Sequence, residues 1–229
     1  MKRSELNQLM RDAVGFMKDM NFSLPPFATW SQTEWDSKSE EYQEILDHML
    51  GWDITDFGYG DYRNIGLLIF TIRNGLFSDI EHTKPYAEKI MIVKEGQTTP
   101  YHFHWKKTED IINRGGGNLI IKMYNSTIVE QLDHLSPVNF NCDGRSYKKP
   151  AGTELCLRPG ESICIKHGQY HSFWGEVGTG TVLVGEVSCT NDDNIDNRFL
   201  EPTGRFPEID EDEEPLYPLF SEIRLRGKQ

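Results

Sequence analysis

From residue 64 onward the chain is a succession of short apolar segments: NIGLLIFTIR, KIMIVK, TPYHFHW, NLIIKMYN, TELCLRPG, ESICIKH, YHSFWGE and TVLVGEVS. Clusters rich in Gly, Asn or Asp (NGLFSD, EGQ, NRGGGN, DGRS, GTGT) part them. Segments this short cannot bury a helical stripe of useful length. At this spacing, with turn residues between, they predict antiparallel strands closed into a sandwich or barrel. No repeat and no linker interrupts the run, so one mainly β unit is expected.

The first third reads differently. Leu6, Leu9, Met10, Ala13, Met17 and Met20 recur at steps of three and four, which predicts an amphipathic helix over 3–20. The pair Pro25–Pro26 closes that segment. Ser31 with Glu34 fits a capping box, and Tyr42, Ile45, Leu46 and Met49 form a second stripe, which predicts a helix over 33–50. The expected organisation is a helical extension, 1–62, packed on a barrel, 63–229, whose last part is acidic. The charge run IDEDEEP at 209–215 is expected to be a solvated loop.

Charge narrows the classes of function. The 229 residues carry a formal net charge of -12, with a pI near 5.0. Nucleic-acid binders show a basic face, and anionic membranes repel such a chain, so neither partner is expected. MKRSELNQLMRDAVGFMKDM has no apolar core of a signal peptide. No apolar run approaches the roughly 18 residues of a membrane span. Cys142, Cys156, Cys164 and Cys189 form no CxxC pair and no regular framework, so a reduced, cytoplasmic protein is expected.

The stretch PYHFHWKKTED carries the first chemical signal. In a strand, residues two apart share a face. His102 and His104 then point one way while Tyr101, Phe103 and Trp105 point the other. Their Cβ atoms would stand about 6–7 Å apart, close enough to converge on one ion. Glu109, returning after a short turn, can add a carboxylate. Imidazole with carboxylate suits a divalent ion such as manganese, iron or zinc. An HxH pair alone is a weak signal, because surface strands carry such pairs by chance. Its surroundings strengthen it: Gly96 lies before the pair, Gly116 after Glu109, and PGESICIKHGQYHSFWGE brings Gly160, Gly168 and His171.

With these residues the chain resembles the cupin superfamily. Gly96, His102, His104, Glu109 and Gly116 fill every fixed position of the first cupin motif, G(X)5HXH(X)3–4E(X)6G. Gly160, Gly168 and His171 fit the second, G(X)5PXG(X)2H(X)3N, although Lys166 stands at its proline and Gly175 at its asparagine. The resemblance implies a double-stranded β-helix (a jelly-roll barrel) holding one metal through His102, His104, Glu109 and His171. A closer resemblance covers nearly the whole chain. The helical extension, KPYAEKIMIVKEGQTTPYHFHWKKTEDIINRGGGNL and EVSCTNDDNIDNRF look like the D-lyxose isomerases. It implies a ketol-isomerase that interconverts D-lyxose and D-xylulose, with D-mannose and D-fructose as further substrates. It also implies a divalent metal, manganese first among Mn, Zn, Co, Fe and Mg, and a homodimer.

Isomerisation moves one proton between C1 and C2 and another between O1 and O2, so a proton shuttle is needed beside the metal. Glu186, within VLVGEVS, and Lys89, opening KIMIV, are the first candidates. Asp196 and Arg198, with Asp193, lie in the polar segment NDDNIDNRF and could bind sugar hydroxyls or orient the base. An Asx-rich turn is the plainer reading of that segment. Phe173 or Trp174 could floor the pocket, and His167 could line it. Lys107 reads as a solvated loop lysine, and His48, His82 and His134 as structural or solvated. Two rival functions stay open: an Fe(II) cupin dioxygenase with the same ligands, and a sugar-binding cupin without catalysis.

Overall fold

The computed structural model describes residues 1–225 except 77, 80, 82, 194, 205 and 206; His82 therefore lies outside the described residues. The chain opens with helix α1 (Arg3–Asp19), a 3-10 turn (Pro26–Thr29) and the short helices α2 (Gln32–Trp35) and α3 (Gln43–Asp47). The strands follow as β1 (Gly51–Thr55), β2 (Leu67–Arg73), β3 (Tyr86–Val93), β4 (His102–His104) and β5 (Glu109–Gly116). Next come β6 (Leu119–Ser126), β7 (Leu132–Asp133), β8 (Val138–Cys142), β9 (Arg145–Lys149) and β10 (Glu154–Leu157). The last are β11 (Ser162–Ile165), β12 (Gln169–Gly175), β13 (Val182–Cys189) and β14 (Asn197–Phe199).

The strands form two antiparallel sheets. One has eight strands in the order β1-β2-β3-β13-β5-β11-β8-β9; the other has six, β10-β6-β12-β4-β14, of which β7 pairs β6 at the side. β13 sits between β3 and β5, strands far from it in sequence, and this crossover gives the jelly-roll barrel that the motifs implied. Between the sheets lies one apolar core, with Met91, Ile111, Ile121, Ile163, Phe173 and Val184 among its buried members.

A second core lies on the outer face of the large sheet. Leu6, Met10, Ala13 and Met17 of α1 pack over Ile54, Phe70, Ile90, Ile92 and Leu183. The sheet is therefore covered on both faces near α1. This is why LLIF and IMIV read as continuous apolar runs and not as alternation.

Two sequence expectations are corrected here. The helix expected over 33–50 is broken into α2, a 3-10 turn at Glu40–Tyr42, and α3. The capping box at Ser31 and Glu34 does form, but the run DSKSEE has no apolar side chain to hold a longer helix. Ser37 also donates its hydroxyl to the Glu34 carbonyl, the local competition by which serine ends helices. Tyr42, Ile45 and Leu46 still pack together, against Trp30 and Trp35. The first 62 residues are also not wholly helical: β1 pairs β2 in register, Asp53 opposite Ile69, as the edge strand of the large sheet.

The acidic run is a mostly exposed loop, as expected, but it is tied to the start of the chain. Asp210 bridges Lys2, Arg3 donates to Glu211 at 2.6 Å, Ser4 donates its amide and hydroxyl to Asp212, and Asn7 donates to Glu213 at 3.0 Å. The start of α1 is thus clasped to the C-terminal segment.

Candidate metal centre

Strand β4 is three residues long and lies between β12 and β14, with His102 opposite His171. Its alternation is the expected one. Phe103 turns away into the apolar layer, edge-on to Tyr170 at 4.8 Å. His102 and His104 turn into the barrel, and one nitrogen from each of His102, His104 and His171 lies within 4.8 Å of the others. Glu109, the first residue of β5, reaches them from the opposite sheet. Its Oε1 is 3.0 Å from His171 Nε2 and its Oε2 3.4 Å from His104 Nε2.

The donor set fits a divalent cation. The Pro100 carbonyl lies 2.9 Å from His102 Nδ1 and the Gln169 carbonyl 3.1 Å from His171 Nδ1. A carbonyl can only accept, so each Nδ1 carries the proton and each Nε2 presents a lone pair inward. Both nitrogens of His104 and Oε1 of Glu109 are buried without a partner of hydrogen-bond geometry. Such groups require a partner in a protein interior. Burial, followed by the neighbouring His171 and His104, holds His102 well below the usual histidine pKa. Burial, followed by the Lys107 ammonium, lowers the pKa of His104. Burial works against ionisation of Glu109, but Lys107 and His104 outweigh it and hold the carboxyl well below its usual range. Neutral imidazoles and an ionised carboxylate are the protonation states a metal needs.

A charged pair of lysines stands beside this cluster. Lys107 is buried, contrary to the solvated loop side chain expected. Its Nζ is 2.7 Å from Glu109 Oε2 and 2.9 Å from Glu186 Oε1. Burial alone would lower its pKa, yet Glu109 and Glu186 reverse the sign and raise it. The cause of the burial is Asp196, which accepts the backbone amides of Lys106 and Lys107 at 3.0 Å each and folds the loop inward. No local pattern announces this, since the two partners stand 89 residues apart.

Glu186 and Lys89 face each other across β13 and β3, in direct register. Both are buried and line the cavity, with Lys89 Nζ 3.6 Å from Glu186 Oε1 and 3.2 Å from Asp193 Oδ2. Asp193 lines the same cavity.

The remaining expectations are placed elsewhere. Asp196 is 1% exposed and spends its oxygens on the two loop amides, so it positions Lys107 and does not line the cavity. Arg198 is corrected as a lining residue. It sits opposite Phe103 on β14, on the outward face, and donates to Glu130 at 2.7 Å. The alternation of β14 gives the cavity Asn197 and Phe199 instead. His167 is exposed and outside the lining. Phe173 lines the cavity, whereas Trp174 does not. His48 is buried and bonded at 2.6 Å to the Asn74 carbonyl, a structural role.

The cavity has a volume of about 310 Å³. Sequence reading missed its far wall: Asp53, Thr55 and Phe57 on and just after β1, and Phe199, Thr203 and Gly204. The period-two spacing of 53, 55 and 57 is the available signal, but it falls inside the expected helical extension, 1–62, beyond the helix predicted over 33–50.

The family model described as D-lyxose isomerase matches residues 1–223. The D-lyxose/D-mannose isomerase of Escherichia coli O157:H7 is 48% identical over 225 residues, 98% of this chain and 99% of the relative. The protein of the same name from Serratia proteamaculans is 48% identical over 223 residues, 97% of each chain. Among solved structures, the L-ribose isomerase of Cellulomonas parahominis superposes with a TM-score of 0.61 at 16% identity, covering 92% of this chain and 98% of that one. The L-ribose isomerase of Geodermatophilus obscurus gives 0.57 at 16% identity, covering 87% and 92%. These two share the fold. By the family model and the near-complete alignment at 48% identity, the chain belongs to the D-lyxose isomerase family.

Proposed function

We propose that the protein is a metal-dependent aldose–ketose isomerase that interconverts D-lyxose with D-xylulose and D-mannose with D-fructose. The observation that carries this reading is the placement of Glu186 and two buried lysines beside a three-histidine, one-carboxylate cluster in one cavity. His102, His104, His171 and Glu109 would hold the ion, with manganese the first choice. When bound, it acts as a Lewis acid toward the sugar oxygens.

The chain's own residues supply the rest. In the aldose-to-ketose direction C2 loses a proton and C1 gains one, while O2 loses a proton and O1 gains one. Nothing is oxidised or reduced overall. Glu186 is the base that takes the C2 proton and returns it to C1. Lys107 and Lys89, 2.9 and 3.6 Å from its carboxylate, place positive charge where the sugar oxygen turns negative in the enediol stage. Asp193 orients Lys89 from the other side. The apolar walls of Met91, Ile111 and Phe173 exclude water.

Assaying a panel of aldoses and ketoses with Mn, Mg, Co, Zn and Fe after chelation tests this. Turnover of D-lyxose restored by manganese under anaerobic conditions supports it. Oxygen consumption in place of isomerisation would show a dioxygenase, and sugar binding without turnover a non-catalytic cupin. Alanine at His102 or Glu109 should remove bound metal and activity together, as read by elemental analysis and turnover. A homodimer belongs to the same reading, supported by the exposed apolar side chains of Ile128, Val129 and Leu135. Sedimentation should then give twice the chain mass of 26.5 kDa. A cytoplasmic location is supported by four free cysteines.

A further inference from the structure

The cavity has two ends, and only one holds the reacting groups. The metal-ligand cluster sits on β4, β12 and β5, with Glu186 on β13. The other end lies at a seam. β1 is the last strand of the large sheet and β14 the last strand of the small one. The two are brought together at the cavity wall, where the Phe57 ring meets Phe199 at 5.8 Å. Phe199 in turn lies over His102 at 5.3 Å. Beyond the rings the backbones themselves meet: a Cβ on Gly58 would stand 2.8 Å from the Gly204 Cα. Only a glycine pair lets the two segments close that tightly, and Gly58 also has φ +77, which other residues resist.

At this end the wall is built by β1. Asp53 and Thr55 share its inward face, and Phe57 continues the same period. Asp53 is 7% exposed and lies in the row Asp53–Ile69–Met91–Val184, while Lys89 and Glu186 belong to the neighbouring row with Thr71. So a carboxylate and a hydroxyl stand on a strand two away from β3, which carries Lys89, and two rings join that wall to His102, all in the same cavity. This combination suits the tail of a polyol: hydroxyls for the polar pair, carbon faces for the rings.

We infer that β1, a strand of the N-terminal segment, is the specificity wall of the site. Asp53 and Thr55 bind the sugar hydroxyls remote from the metal, and the Phe57–Phe199 and Gly58–Gly204 junction sets how long a sugar fits. This rests on the isomerase reading above. D-Lyxose and D-mannose share configuration from C2 to C4, and the hexose adds one CH2OH at the far end. The seam is where that extra group must be accommodated.

The test is Asp53→Asn and, separately, the near-isosteric Thr55→Val, in the full-length metal-loaded protein. KM for D-lyxose and D-mannose should rise about 10- to 100-fold for Asp53→Asn, the range of a lost hydrogen bond to a charged group. Metal content should stay unchanged, and kcat should stay within about threefold, the signature of lost ground-state binding. Gly204→Ala should lower kcat/KM for D-mannose more than for D-lyxose. Calorimetry with D-arabinitol and D-mannitol, which have no carbonyl to isomerise, reads the same wall without turnover. Unchanged KM and unchanged polyol affinity in both β1 variants would overturn the inference, as would loss of kcat at constant KM. If the wild type isomerises neither sugar but binds the polyols through Asp53, the isomerase reading fails and the specificity wall stands.

Discussion

Lys107 shows how much one side chain can carry. Its ammonium joins Glu109, two residues further along the chain, at 2.7 Å to Glu186, 79 residues away on β13, at 2.9 Å. Replacing it with methionine keeps the volume and removes the charge. We expect Lys107→Met to retain the metal, by elemental analysis, and to lose about 100-fold or more in kcat, since a preorganised charge at a developing oxyanion is worth that much. The two glycines of the first motif make a second contrast. A Cβ on Gly116, at φ +85, would overlap the Thr181 carbonyl, whereas one on Gly96, at φ +67, meets nothing closer than Val177 at 3.9 Å. Gly96→Ala should therefore cost about 1 kcal/mol, the penalty of the left-handed region. Gly116→Ala should cost about 3 kcal/mol or more, because backbone strain and overlap add. Denaturant titration of the two variants separates them.

At the scale of elements, the clasp between α1 and the C-terminal segment explains why an acidic run is ordered. The Arg3 side chain is 2% exposed and serves both Glu211 and Glu222. Arg3→Ala should lower the melting temperature by about 5 °C, from the worth of charge-assisted hydrogen bonds and the usual size scaling. The clasp is also acid-sensitive. The hydrogen bond from Arg3 lowers the Glu211 pKa, and the Ser4 amide lowers that of Asp212. Depressed carboxylates stabilise the fold above their unfolded pKa, near 4, and lose that contribution as pH falls through the lower folded values. Protection of the α1 amides, measured against their intrinsic exchange rates, should therefore fall below about pH 4, and Arg3→Ala should reduce that acid response. If the protection factors of α1 are equal at about pH 3 and about pH 6, the clasp does not hold it. The elements also show what sequence could reveal: α1 and most strands followed their periodicity, but the 33–50 stripe did not make one helix. A three- and four-residue spacing reports which side chains are buried together, and the cluster of Tyr42, Ile45 and Leu46 with the tryptophans satisfies it through broken turns.

For the whole molecule, two apolar layers share one sheet. The inner layer shapes the cavity, and the outer layer exists only because α1 covers Ile54, Phe70, Ile90 and Leu183. Deleting residues 1–22 would expose that layer. The truncated chain should lose its cooperative unfolding transition and aggregate; a soluble, cooperatively folded truncation would show that the barrel stands alone.

The sequence by itself set His102 and His104 on one face, because residues two apart in a strand share a side, and its resemblance to the cupin motifs implied Glu109 and His171 as their partners. It also determined the family, since the motifs and nearly the full length match. Tertiary structure alone decided the partners of that cluster. Asp196 folds Lys107 inward from 89 residues away, β13 enters between β3 and β5 to set Glu186 against Lys89, and β1 brings Asp53 and Thr55 to the far wall. These contacts depend on strand order and on the parity of each strand against its neighbours. A sequence encodes both only through the packing of the whole chain.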